Sequence, residues 1–341
     1  MKRDGTVITQ TPFRLSFFGG GTDLPEYFNE YEGAVLSTTI DKYLYVTINS
    51  LKRFYENRIR LSYSKLELVD NLGDLQHGIV KTVLKNHPSF SDDSFIDMHT
   101  YADFPAASGM GSSSAFTVGF LNALYSINGI YKTPEEIAYE AINVEREKLK
   151  EIGGWQDQIA SSQGGLNLIR FKKNSFFIEP ISLSFEKIQA LEDSFLLFFT
   201  GGTRSSAEIQ KGTFGVADDN KTVQLHAIKQ SVFEALAILR QSNTISEMVN
   251  EFGALLHKSW EIKRSLSACI SNSKINAMYD AAIKAGALGG KLCGAGGGGF
   301  LLLVVPFKFK EKVISALNGY KYVNIKFDDM GARVIYSKIA L

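Results

Sequence analysis

Residues Pro105–Ala115 read PAASGMGSSSA, and the fold is decided by what this stretch is. Just before it, Ile96 to Tyr101 looks like a strand. Just after it, Phe116 to Tyr125 carries apolar residues at helical spacing. The order is strand, glycine-rich turn, helix start. Gly109 and Gly111 allow backbone torsions that other residues resist, and they let an anion approach the main chain. N–H groups opening the next helix then point at that anion, and the helix dipole favours it. Ser112, Ser113 and Ser114 are placed to cap the helix, and their hydroxyls suit phosphate oxygens or Mg²⁺. A flexible turn with an ordinary serine cap is the plainer alternative.

Sharper alternatives fail on the letters. No GxxxxGK[ST] occurs, so the loop is not of the Walker type. Gly111 to Ala115 approaches the hydrolase elbow GxSxG with Ser113 as nucleophile, but the last glycine is missing and no specific His partner is apparent. A second cluster, KLCGAGGGGF from Lys291 to Phe300, formally contains GxGxxG. A dinucleotide site needs that motif between a strand and a helix, whereas here the apolar run FLLLVV follows it. No HRD or DFG segment supports a protein kinase.

Glycine numbers 30 in 341 residues, and its clustering points to close backbone approach to a ligand. The chain is 45% hydrophobic and 21% charged, ordinary for a globular protein, and its length predicts two domains. A formal charge of +1 gives no footprint for nucleic acid or an anionic membrane. With only Cys269 and Cys293, and no secretory pattern or long apolar run, a cytoplasmic protein is expected.

Strands are expected over Val35 to Asn49, Phe195 to Thr200, Phe300 to Val305, Tyr322 to Phe327 and Arg333 to Ser337. Helices are expected over Val223 to Leu239, Ile245 to Leu266, Ile275 to Ala285 and Lys308 to Leu317. Thr133-Pro134-Glu135-Glu136 should open another helix, running through Glu145 before Gly153-Gly154. The reading is α+β.

A third cluster, PFRLSFFGGGTD from Pro12, places Arg14 on a strand that ends in a tight turn with Asp23. A carboxylate at such a turn suits sugar hydroxyls, though a solvated β-turn aspartate looks the same. With this cluster first, PAASGMGSSSA second and KLCGAGGGGF third, the chain resembles the GHMP kinase superfamily across both halves. That resemblance implies an N-terminal ATP-binding domain with a left-handed βαβ unit, residues 1–180, and a ferredoxin-like domain, residues 181–341. It implies ATP and Mg²⁺ as cofactors, with the active site between the domains. The first motif usually carries Gly-Glu before its final residues, whereas this chain has Gly19-Gly20-Gly21-Thr22-Asp23, which disfavours galactose. GGGTD followed by LPEYFNEYEG is similar to kinases of D-glycero-D-manno-heptose 7-phosphate, with bacterial fucokinases as near relatives. The segment TGGTRSSAEIQ from Thr200 looks like the same branch. The partners implied are ATP and a phosphorylated sugar, without nucleic acid or membrane, and a homodimer is compatible with the pattern.

By the same resemblance, Pro105, Ala106, Ala107, Ser108, Gly109, Met110, Gly111, Ser112, Ser113 and Ser114 would hold the nucleotide. Asp157 would be the catalytic base, Arg14 its cationic partner, and Ser113 with Glu145 the Mg²⁺ ligands, Glu147 competing for the last role. Unaided, the residues leave Glu145 readable as a solvated helix face and Asp157 as a helix cap. Gly20, Gly21, Thr22, Asp23, Gly201, Arg204, Gly296 and Gly297 would contact the acceptor. Arg204, Lys211, Lys263 and Arg264 are the candidates for a phosphate on that acceptor. The rivals are an L-fucose or other hexose 1-kinase and a non-catalytic sugar and ATP sensor on the same fold.

Overall fold

The computed structural model describes residues 4–50, 56–91, 94–201, 209 and 219–339. Two long antiparallel strands, β1 (Gly5–Phe18) and β2 (Gly33–Asn49), form its spine. In β1, burial passes from alternating to continuous toward Phe18, the sign of a strand that becomes covered on both faces. The helix α1 (Pro25–Tyr31) fills the turn between them.

Next come β3 (Ile59–Ser62), β4 (Leu66–Val69), α2 (Gly78–Asn86) and β5 (Ile96–Ala102). β3 and β5 run parallel, which needs a crossover, and α2 lies within it. The helix α3 (Ser112–Ile127) is apolar on nearly every side and mostly buried. It lies against β1, where the Thr9 hydroxyl donates to the Gly119 carbonyl at 3.0 Å. Thr133 and Glu136 form a capping box at α4 (Pro134–Ile142), as the spacing predicts. The helix then widens into a π-helical turn, Asn143–Lys148, before α5 (Gln156–Gln163). A hairpin of β6 (Asn167–Lys172) and β7 (Ser175–Pro180), unforeseen in the sequence, pairs onto β2.

The second half contains α6 (Phe185–Ser194), β8 (Phe195–Gly201), α7 (Asp219–Gln241), α8 (Ile245–Ser265), α9 (Ser273–Ala285), β9 (Gly289–Leu292), β10 (Gly299–Val304) and α10 (Lys310–Ala316). With β11 (Tyr322–Val323) it makes a four-stranded antiparallel sheet in the order β11-β8-β10-β9. The α+β class agrees with the expectation.

The end of the chain differs. The single strand expected over Tyr322 to Phe327 is split, because β12 (Phe327–Asp328) pairs with β2 of the first sheet. Phe327 packs its ring 6.1 Å from Phe17 and 6.2 Å from Phe195, and this aromatic core draws the chain across. The last strand, β13 (Arg333–Ile339), then pairs with β1. β12 and β13, which lie within the 181–341 unit of the sequence division, therefore join the first sheet, nine-stranded among the described residues.

Candidate active site

Arg14 is aimed by a register shift in β1. The β1–β2 pairing slips between Pro12 and Arg14, where proline cannot donate to the ladder. The side chain is almost wholly buried, and its guanidinium grips Asp157 with both prongs: Nε at 2.6 Å from Oδ1 and Nη2 at 2.8 Å from Oδ2. Nη1 donates to the Gly109 carbonyl at 2.8 Å. One planar cation thus fixes the carboxylate and the glycine loop in a single geometry. Burial lowers the Arg14 pKa, but the charge and hydrogen bond of Asp157, with Cys293 and Asp23, together outweigh it, so the net shift is upward. Asp157, in the first turn of α5, keeps a quarter of its side chain exposed and faces a cleft of about 780 Å³.

The loop before α3 has the conformation its glycines suggest. Gly109 and Gly111 are left-handed, with φ of 79° and 76°. The helix cap is Gly111 rather than a serine, and Ser112 to Ser114 form the first turn. Ala106, Ala107, Gly109, Gly111 and the three serines line the cleft. Pro105, Ser108 and Met110 do not: Ser108 and Met110 are fully buried, and Met110 belongs to the main core.

The third motif packs against this loop. A Cβ on Gly109 would stand 2.4 Å from the Cys293 carbonyl oxygen, and one on Gly294 would stand 2.6 Å from the Gly109 Cα. Phe300 N–H donates to the Ser108 carbonyl at 3.2 Å. Here the glycines serve backbone-to-backbone contact between the halves of the chain. Gly296 and Gly297, expected to touch the acceptor, are docked instead on Ile270: a Gly296 Cβ would lie 2.7 Å from the Ile270 Cα, and Gly297 N–H donates to the Ile270 carbonyl at 2.9 Å. Gly294 and Ala295 reach the cleft.

The first motif divides likewise. Gly20, Gly21 and Asp23 line the cleft. Thr22 is fully buried and works as a clasp, its hydroxyl near the Gly19 and Ala34 carbonyls and accepting from Ala34 N–H at 3.1 Å. Gly201 ends β8 opposite Gly299, outside the cleft lining. Arg204 and Lys211 lie outside the described residues.

Glu145 sits on the π-helical turn and is 5% exposed. Its Oε2 accepts from Ser114 Oγ at 2.9 Å and from Gln158 Nε2 at 2.7 Å, while Oε1 is buried without a hydrogen-bond partner among the described residues. Burial pushes its carboxyl up to about 7. The hydroxyl bonded to Glu145 is Ser114's, while Ser113, expected as a Mg²⁺ ligand, lies one helical position away and is exposed to the cleft. Glu147 is a surface residue 3.5 Å from Lys150. An orphaned buried oxygen beside serine hydroxyls is a donor set that fits a hard cation such as Mg²⁺.

Two cleft lysines complete the charge pattern. Lys263, on α8, donates to the Gly294 carbonyl at 2.8 Å, and burial together with Arg14 pulls its ammonium down to about 8. Lys291, on β9, donates to the Ser16 and Phe17 carbonyls, and burial followed by Lys263 lowers it well below the usual lysine value. Burial and the nearby Asp157 raise Asp23, opposed by N–H groups of Gly21 and Gln156. Arg264 instead pairs with Glu261. Lys291 was missed in the sequence, where it opens a glycine run and carries no charge pattern.

Residues 74–165 match the GHMP kinases N terminal domain family, and residues 242–323 match the GHMP kinases C terminal family. The chain is 34% identical over 92% of its length to a Campylobacter jejuni D-glycero-alpha-D-manno-heptose 7-phosphate kinase, covering 93% of that protein. It is 28% identical over 88% of its length to a Bacteroides fragilis L-fucokinase/L-fucose-1-P guanylyltransferase, of which it spans 35%. In structure it superposes on a D-glycero-D-manno-heptose 1-phosphate kinase from Bacteroides thetaiotaomicron with a TM-score of 0.76 at 27% identity, covering 97% of this chain and 99% of the other. Together with a glycine loop held to a buried Arg–Asp pair, these likenesses define a phosphotransferase with an alcohol group as acceptor. The chain belongs to the GHMP kinase family.

Proposed function

We propose that this kinase transfers the γ-phosphoryl group of ATP to the anomeric hydroxyl of D-glycero-D-manno-heptose 7-phosphate. The product is the 1,7-bisphosphate, a precursor of nucleotide-activated heptose made in the cytoplasm. The observation that carries the reading is the Arg14–Asp157 pair tied to the Gly109 carbonyl, which sets a carboxylate beside the glycine loop. The near full-length likeness to a heptose 7-phosphate kinase supports this acceptor.

Main-chain N–H groups of the loop and of the α3 first turn bind the nucleotide phosphates. Glu145 and the hydroxyls of Ser113 and Ser114 would hold Mg²⁺, which neutralises phosphate charge when bound. Asp157 accepts the proton of the anomeric hydroxyl, which is more acidic than an ordinary alcohol. Arg14 holds the carboxylate in register as charge moves. The apolar end of the cleft, lined by Leu44, Tyr63, His77, Phe104 and Phe116, receives the base.

An acceptor screen with ATP tests the substrate. Turnover on heptose 7-phosphate far above that on fucose and other hexoses is the expected outcome. Strong activity on fucose with none on heptose 7-phosphate would replace the acceptor and leave the kinase chemistry standing.

A further inference from the structure

The cleft contains a set of polar atoms that the transfer centre leaves unused. Where a Cβ on Gly20 would sit, the nearest atoms are Gln156 Nε2 at 3.7 Å, Ser16 Oγ at 3.8 Å and Lys263 Nζ at 3.9 Å. The three side chains arrive from α5, β1 and α8, and all line the cleft. Ser16 is 5% exposed and Gln156 8%, yet Ser16 Oγ and Gln156 Oε1 have no hydrogen-bond partner among the described residues. Native chains pair nearly all such atoms, so a buried pair left open at a cleft wall points to a polar ligand. The Lys263 ammonium has three donors, and the Gly294 carbonyl takes one.

Charge identifies the ligand's class. Lys263 stands beside the open Ser16 and Gln156 atoms, and Arg14 and Lys291 line the same cleft, so the groups facing this space suit an anionic ligand. The two first residues of α5 face different ways. Asp157 Oδ2 lies 3.2 Å from where a Gly111 Cβ would be, on the nucleotide-loop side, whereas Gln156 faces Gly20. The open donors therefore belong to the acceptor's side of the cleft.

We propose that Ser16, Gln156 and Lys263 form the subsite for the phosphate already carried by the acceptor, and so select a phosphorylated sugar over its unphosphorylated counterpart. The proposal rests on the sugar-phosphate reading above and adds the residues that enforce it. The ammonium, the amide N–H and the serine O–H donate to phosphate oxygens, while Gln156 Oε1 accepts from a neighbouring sugar hydroxyl. Gly20 keeps the space open.

The test is the ratio of kcat/KM on heptose 7-phosphate to kcat/KM on heptose, with ATP saturating. It is measured for the wild type, Lys263→Met and Gly20→Ala. Alanine at position 20 meets only ordinary van der Waals distances, so that variant folds even where the lysine variant does not. Both variants should lower the ratio about 10- to 100-fold, chiefly through KM for the phosphorylated acceptor, with KM for ATP unchanged. Equal losses on both acceptors, or an unchanged ratio, would overturn the subsite and leave the proposed function intact. A wild type that prefers the unphosphorylated heptose would remove the sugar-phosphate reading itself, before any variant is compared.

Discussion

Replacing Gly109 by alanine tests whether the glycine loop before α3 depends on contact between the two halves of the chain. The new methyl would lie 2.4 Å from the Cys293 carbonyl oxygen, and main chain on both sides leaves no flexible side chain to yield. The φ of 79° adds left-handed strain of about 1–2 kcal/mol. Overpacking adds roughly 1–3 kcal/mol. The sum is a loss of about 2–5 kcal/mol, which for 341 residues lowers Tm by about 3–7 °C. Thermal unfolding and Mg-nucleotide calorimetry on the same samples read both consequences, because pushing the loop off Cys293 also disturbs its N–H groups. Gly294→Ala strikes the same contact from the other side, so the double variant should lose less than the sum of the two. Gly73→Ala, with nothing within 4 Å, is the control and should stay within about 0.5 kcal/mol of the wild type. A Gly109→Ala protein that melts and binds nucleotide like the wild type would refute the reasoning.

Glu145 predicts a pH effect. Its carboxyl lies near 7 in the folded chain and near 4.5 unfolded, so the folded state holds the extra proton between those values. Stability of the nucleotide-free protein should fall as pH rises from 5 to 8, by up to about 3 kcal/mol, and Glu145→Gln should flatten the slope. Equal slopes in urea titrations of the two proteins would contradict this. Gly296→Ala should lower Tm while leaving KM for the acceptor unchanged in the folded fraction, since the position packs on Ile270. A raised KM at unchanged Tm would return Gly296 to the acceptor site.

The glycine loop and its place between β5 and α3 were legible in the sequence because glycine positions and hydrophobic periods are local signals. Arg14, Asp157 and Asp23 were reachable through ordered motifs, and the structure brings them together from β1, α5 and the turn after β1. What stayed hidden depends on contacts far apart in sequence. Thr22 and Gly296 look like binding residues in a motif, and their role as packing elements appears only once Ala34 and Ile270 are beside them. That Ser114 is the serine bonded to Glu145 turns on one helical position. The last strands leave the second sheet because Phe327 joins Phe17 and Phe195, a pairing no local period encodes.

Single-turnover phosphoryl transfer by Asp157→Asn, with Mg-ATP binding followed on the same sample, addresses the heart of the mechanism. Asparagine keeps the size of the side chain and one oxygen toward Arg14 but cannot take the proton. Nucleotide binding should stay within a few-fold of the wild type while transfer slows about 10²- to 10⁴-fold. Transfer at the wild-type rate would mean that the carboxylate fixed by Arg14 is not the group that deprotonates the acceptor.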